Sequence, residues 1–419
     1  MEIDTKRLHA RLEQLARFGC NDRGGIDRSV GSRADREARA WLTEQWKQAG
    51  LTVRTDAIAN LWARAPGPVG APIVLGSHHD AVPDGGRFDG ALGVLLATEV
   101  VQTLQESGIP MRHPLEVVSF TAEEPNPFGL STLGSRAITG KLTAAQVGAA
   151  CDENGRCLTD VIAELGGDVT ALVSQKLRPG VKAAYLEPHI EQGRNLYDAG
   201  LAVASVDRIT GIYREYITVE GEANHAGTTT MPRRHDALLA AGELALALET
   251  TVSEQNRCDV VGTVGKFNVF PNAANIIPGQ VELILELRTP DRALRTEILE
   301  AFTARIAEIE AKRGIHFVRQ VNLDQAEVIL DPVVTTAIAK GCKTVQDQEV
   351  TLVSMAGHDA VHMSGICPAG MLFIQSVAGI SHSRKELTHD PEIDAAAQAL
   401  MQAVIELDRT LPITEEGVQ

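Results

Sequence analysis

Pro72-Ile73-Val74-Leu75-Gly76-Ser77-His78-His79-Asp80 is an apolar run stopped by two histidines and an aspartate. A short continuous apolar run ending this way has the pattern of a strand buried on both faces. Three further runs end in residues of the same chemical kind: Leu115 to Thr121 before Glu123, Ala183 to Leu186 before His189, and Met371 to Ile374 before His382. Open α/β sheets place their ligands beyond the carboxyl ends of strands, so four such runs are expected to feed one site. The expected class is therefore α/β, with a mixed sheet flanked by helices. Upstream, Ser32 and Asp35 resemble a capping box, and Ala38, Trp41, Leu42, Gln45 and Trp46 keep helical spacing until Gly50 supplies a stop. Met1 to Ala16 reads as an amphipathic helix through Leu8, Leu12 and Leu15.

From about Arg208 to Asp324 the pattern changes to a strand (Tyr216 to Glu220), a helix (Asp236 to Val252) and a strand (Val260 to Phe270). It continues with a strand on which Val281, Leu283, Leu285 and Leu287 alternate with Glu282, Ile284 and Glu286, a helix from about Arg292 to Lys312, and a strand from Ile315 to Val321. This β-α-β-β-α-β order is a split-βαβ, ferredoxin-like signature. The expected organisation is a catalytic domain in two parts, 1–207 and 325–419, with an inserted α+β domain at 208–324.

Composition narrows the function. The 419 residues carry 55 acidic and 39 basic side chains, a net charge of −16, which argues against binding a phosphate backbone. An apolar share of 44% is that of an ordinary globular protein. No stretch has the length of a membrane span; even Ala91 to Val101 is interrupted by Thr98 and Glu99, and the N-terminus lacks the apolar core of a secretory signal. The six cysteines are scattered and form no CxxC pair, so reduced thiols and a cytoplasmic location are expected.

The polar strand ends carry the chemistry. Imidazole and carboxylate are ordinary ligands of zinc or manganese, and the two oxygens of Asp89 allow it to bridge a pair of ions, with Asp80 behind His78 to orient its ring. A polar turn tightened by Gly85, Gly86 and Gly90 would give the same pattern. Glu123 and Glu124 are adjacent and cannot both point the same way, so one can bind metal while the other faces a reacting water. Standing alone, the pair is commonly a solvated strand end, and His189 or His382 a structural histidine. Taken together, His78, Asp89, Glu124, His189 and His382 make five ligands with one shared carboxylate, the set that two adjacent ions need in a hydrolytic site. His79 is expected to be only a neighbour.

These segments, with Gly134-Ser135-Arg136, His189 to Gly193, Asn224 to Thr229, Phe270 to Asn275, Gly357-His358-Asp359-Ala360 and Gly379 to Ser383, resemble the hydantoinase/carbamoylase branch of the dinuclear metallopeptidase and deacylase superfamily. That branch includes N-carbamoyl-L-amino acid hydrolases, β-ureidopropionases, and allantoate and ureidoglycolate amidohydrolases. The resemblance spans nearly the whole chain. It implies His78 and His189 on one divalent ion (zinc, manganese or cobalt), Glu124 and His382 on the other, Asp89 as bridge, Glu123 as general base and Asp80 as partner of His78. It further implies that Gln192, His225, Asn275 and Arg288 bind the carboxylate and ureido group of a small carbamoyl acid. The inserted domain becomes a lid and the interface of a homodimer. The implied reaction releases amino acid, carbon dioxide and ammonia from an N-carbamoyl-L-amino acid; allantoate or ureidoglycolate hydrolysis is the alternative, and an aminopeptidase or N-acyl amino acid deacylase a more distant one. Asn126-Pro127 and Pro188 depart from the common pattern of the branch, and both bear on the rim of the site rather than on a ligand.

Overall fold

The computed structural model describes residues 2–413; Met1 and 414–419, the ends of the expected first helix and of the outer domain segments, lie outside the described residues. The chain divides into two compact units. One comprises the N-terminal part up to Asp207, Leu330–Leu352 and the chain from Gly357; the other is Arg208–Ile329 with Val353–Ala356. The second unit extends past Asp324 because Val328–Ile329 still pairs, antiparallel, with Ile209 and Arg208 at its entrance.

In the first unit, the four runs form neighbouring strands in the order Ala369–Ile374, Ala184–Ile190, Ile73–His78 and Leu115–Phe120. Adjacent members are parallel, so their carboxyl ends open on one edge. All four are buried along their full length, which explains why their sequences are mostly apolar rather than alternating, with Ser77, Glu116, Ser119 and Glu187 as buried polar exceptions. Antiparallel strands flank them: Val203–Ile209 beside Ala369–Ile374, and Leu61–Arg64 followed by Thr52–Thr55 beside Leu115–Phe120. The sheet is mixed, as expected. The helices Ala91–Glu106 and Asp390–Thr410 contribute Val94, Leu95, Ala396 and Leu400 to the core beneath it.

The helix Arg33–Gln48 begins where Ser32 accepts from the Asp35 amide, but the Asp35 carboxylate does not close a capping box. It accepts from the Gly31 amide at 2.7 Å and meets His79 Nε2 at 2.9 Å, a buried tie between the helix start and the end of strand Ile73–His78. Arg28, also buried, reinforces that corner by donating to the carbonyls of His79, Leu15 and Phe18. Cys151 and Cys157 correct the expectation of thiols throughout: they face each other across a short antiparallel bridge and are joined as a disulfide. Among the described residues, no helix is long and apolar enough to cross a membrane.

The second unit has the β-α-β-β-α-β order. Its sheet runs Val261–Phe270, Gln280–Thr289, Gly211–Glu220, His316–Gln325, with every neighbouring pair antiparallel. Alternation places Val281, Leu283, Leu285 and Leu287 on the face that packs with Leu244, Leu248, Ile298 and Phe302 of the helices Ala237–Ser253 and Arg292–Arg313. Hydrogen bonds from Arg313 and Lys312 hold the Glu243 carboxyl down to about 2. A carboxylate depressed in the folded state stabilises above its unfolded value near 4.3, and the contribution disappears as pH falls toward 2. Screening limits this solvent-accessible cluster to about 0.5–1 kcal/mol. Glu243→Gln should therefore lower the urea midpoint at pH 7 and converge on the wild type near pH 2; an equal deficit at both pH values would exclude the ionic origin.

Candidate metal centre

The shared carboxyl edge brings the five expected ligands together, with Glu123, Asp80 and Gln192 beside them. His78 is the last residue of its strand, His189 the penultimate residue of its own, and Glu123 and Glu124 follow Leu115–Phe120 after Ala122, whose left-handed φ of 53° turns the chain sharply. Asp89 and Gly90 start the helix Ala91–Glu106. Gly90 has φ 60°, and a Cβ there would come within 2.3 Å of the His78 ring, so only glycine brings this turn so close. His382 stands in the loop after Ala369–Ile374, itself at φ 51°.

Asp89 is the centre of the arrangement. Its Oδ1 lies 3.5 Å from His78 Nε2 and 3.3 Å from His189 Nε2. Its Oδ2 lies 3.5 Å from His382 Nε2, which is also 3.3 Å from Glu124 Oε1. Two overlapping groups, His78-Asp89-His189 and Asp89-Glu124-His382, thus each have the spacing to hold an ion. The ring hydrogen bonds agree with this use. His78 Nδ1 is 3.2 Å from the Asp80 carbonyl oxygen and His189 Nδ1 is 2.9 Å from that of Ile190, so donation through Nδ1 leaves both Nε2 lone pairs aimed inward. His78 Nε2 and Glu124 Oε1 are buried with no hydrogen-bond partner. Buried nitrogen and oxygen atoms left unpaired around a shared carboxylate fit a divalent cation.

The fields follow from the same geometry. Burial works against the Asp89 carboxylate, but His189 and His78 overcome it and hold Asp89 well below the usual range. The Glu124 carboxylate raises His382 to about 9. Burial pushes Glu123 well upward; His78 opposes this, while Glu124, Asp359 and Asp80 add to it. Glu123 Oε2 lies 3.7 Å from His78 Nε2, beside the ligand groups.

The contacts of Asp80 extend beyond the His78 ring. Its carboxylate is 3.5 Å from His78 Nδ1, and it also accepts from the amides of Glu123 and Glu124, both at 3.2 Å, which pins the glutamate turn. Gln192, expected to bind substrate, has φ 58° and donates from Nε2 to Asp89 Oδ2 at 2.7 Å. His79 points to the opposite side of its strand, between Ser119 and Asp35.

The remaining chosen residues lie in the second unit. His225 and Asn275 are exposed and adjacent, because Ala226 donates to the Asn275 carbonyl at 3.0 Å. His225 Nδ1 accepts from the amides of Gly227 and Thr228, both at 3.1 Å. A neutral ring so held carries its proton on Nε2 and presents a donor outward. Arg288 sits apart from them near the other end of Gln280–Thr289, bound to Glu286 at 2.9 Å and to the Met355 carbonyl at 2.5 Å.

Sequence reasoning missed the acids behind the centre. Glu187 accepts from Ser77 Oγ and the Ala360 amide, and Asp359 from Ser135 Oγ. Glu386 accepts from the Phe88 and Asp89 amides; burial and then the charge of Asp89 push it up to about 7. Asp359 lies within Gly357-His358-Asp359-Ala360, and Glu187 directly follows the apolar run ending at Leu186, so both could have been flagged as acids in apolar surroundings. Nothing in spacing marks Glu386.

Residues 74–406 match Peptidase family M20/M25/M40. The chain is 36% identical over 407 residues to an N-carbamoyl-L-amino acid amidohydrolase of Geobacillus stearothermophilus, covering 97% of this chain and 99% of the relative. It is 32% identical to a ureidoglycolate hydrolase of Arabidopsis thaliana, over 97% and 87% of the two chains. The solved amidase of the hydantoinase/carbamoylase family from Burkholderia multivorans superposes with a TM-score of 0.88 at 32% identity, covering 97% of this chain and 98% of its own. The chain belongs to Peptidase family M20/M25/M40, in its hydantoinase/carbamoylase group. It is a metal-dependent hydrolase of carbon–nitrogen bonds other than peptide bonds.

Proposed function

We propose that this enzyme hydrolyses an N-carbamoyl-L-amino acid to the free amino acid, carbon dioxide and ammonia, using two divalent ions of zinc, manganese or cobalt. The observation that carries the two-ion reading is Asp89, with Oδ1 toward His78 and His189 and Oδ2 toward His382. The substrate is supported by the name of the 36% identical relative. In this reading His78 and His189 hold one ion, Glu124 and His382 the other, and Asp89 both. Bound there, the ions supply Lewis acidity that polarises the substrate carbonyl and makes water easier to deprotonate.

Glu123 accepts the proton of the attacking water and returns it to the leaving nitrogen, a task suited to a carboxyl whose proton affinity burial has raised. Asp80 keeps Glu123 and Glu124 in their divergent directions through their amides. Gln192 lies against Asp89, where its amide can also reach a ureido group. Arg288 offers a planar fork to the substrate carboxylate, and His225 Nε2–H with Asn275 offers donors to the developing oxyanion. The inserted unit is read as a lid and homodimer interface; its exposed Leu239 and Leu246 on one helix, and Val261 and Phe270 on an edge strand, leave apolar surface for a second copy. A cytoplasmic location completes the reading; Cys20, Cys258, Cys342 and Cys367 are free, as it expects, and the Cys151–Cys157 disulfide is the feature that weighs against it.

Ureidoglycolate is the competing substrate, favoured by the Arabidopsis relative. Two measurements test the proposal. Purified protein reconstituted with zinc or manganese should retain two ions per chain; a stoichiometry of one would contradict the double centre. Arg288→Lys replaces a bidentate clamp by a point charge, for which a cost of about 1.5–3 kcal/mol predicts roughly a 10–100-fold rise in KM with a smaller change in kcat. An unchanged KM would remove Arg288 from carboxylate binding.

A further inference from the structure

We propose that Glu386 is a positioning residue that fixes Asp89 so that its two carboxylate oxygens face the two ion positions. This rests on the reading of Asp89 as the shared ligand. Glu386 follows the loop that carries His382 and is buried, 6% exposed. Its Oε1 accepts from the backbone amides of both Phe88, at 2.9 Å, and Asp89, at 3.0 Å. Its Oε2 accepts from Ser381 Oγ at 3.1 Å, and the same hydroxyl is 2.9 Å from Asp89 Oδ2. One side chain therefore holds the Asp89 backbone and, through Ser381, touches its carboxylate.

The site is built for this contact. A Cβ on Gly86 would come within 2.1 Å of Glu386 Cδ, so only glycine there lets the carboxylate reach the amides. Among the described residues no lysine or arginine pairs with Glu386, and a carboxylate buried without a cation is costly unless its hydrogen bonds compensate. Those hydrogen bonds run to the turn bearing Asp89 and to the residue beside His382, so Glu386 ties together two ligand-bearing loops separated by almost 300 positions. An anchored turn lets Asp89 Oδ1 and Oδ2 face opposite ligand pairs without rotating; released, the carboxylate could turn both oxygens toward one side.

The prediction is read in metal binding, with zinc alone as the probe, on the full chain. Glu386→Ala should weaken zinc binding by about 10–100-fold in chelator competition, the range for outer partners of metal ligands. Activity should return when excess zinc is supplied. Glu386→Gln keeps an oxygen for both amides and should bind zinc within a fewfold of the wild type; this rescue separates the amide anchor from a need for charge. Thermal unfolding of each metal-free variant reports the fold independently. Wild-type zinc affinity in a folded Glu386→Ala would overturn the proposal, as would Glu386→Gln losing as much affinity as Glu386→Ala. Should Glu386→Ala not fold, Ser381→Ala carries the test: it spares the amide bonds and cuts the link to Asp89 Oδ2, so a severalfold loss of zinc affinity is expected and unchanged affinity overturns the proposal. Failure of the wild type itself to hold two zinc ions would instead contradict the reading of the centre.

Discussion

Glu123→Gln should leave both ions bound and lower turnover by about 10²–10⁴-fold, the span of a positioned general base. Glutamine fills the same volume and makes no change to the Glu123 amide, which is what Asp80 holds, so the glutamate turn and its Glu124 ligand stay in place. What is lost is a basic oxygen next to the ligand groups. KM should move little, because a proton acceptor acts chiefly in the transition state. Metal analysis of the gel-filtered variant separates the outcomes: low turnover with two ions supports the base, low turnover with lost metal would make Glu123 a ligand, and wild-type turnover would remove it from the chemistry.

Asp89→Ala carries the other large effect. Because each oxygen of Asp89 serves a different group, one substitution should weaken both ion positions together, beyond the roughly 10–100-fold that outer partners of a metal site carry. His189→Ala supplies the contrast, since His189 belongs only to the first group. It should weaken one ion and spare the other. Equal stoichiometries in the two variants, with one ion retained in each, would show that Asp89 serves a single ion.

Much of this centre could be read from the sequence because its elements are local. A parallel strand buried on both faces must be written as an apolar run, and a ligand at its end must interrupt that run. Ile73–His78 and Leu115–Phe120 declare both features within ten residues. The strand Gln280–Thr289 was equally legible, since the alternation of Val281 to Leu287 marks a sheet with one covered face. What stayed hidden depends on contacts far apart in the chain or on side chains with several possible partners. Glu386 reaches Asp89 across 297 positions. Asp35 read as a cap, and its second role toward His79 became visible only when strand and helix met. Gln192 read as a substrate ligand, yet the nearest strong acceptor to its amide is Asp89 Oδ2. Cys151 and Cys157 pair through a local turn that the general expectation for a cysteine-poor chain did not cover.

The most direct measurement of the central claim is product analysis of the zinc- or manganese-loaded enzyme against N-carbamoyl-L-amino acids, N-carbamoyl-β-alanine, allantoate, ureidoglycolate, N-acetyl amino acids and dipeptides. Ammonia and free amino acid formed together from an N-carbamoyl-L-amino acid, with the acetylated and peptide compounds untouched, is the predicted result. Ammonia from ureidoglycolate or allantoate alone would keep the reaction class and change the substrate. Acetate or a second amino acid as the sole product, with no ammonia from any ureido compound, would contradict the account.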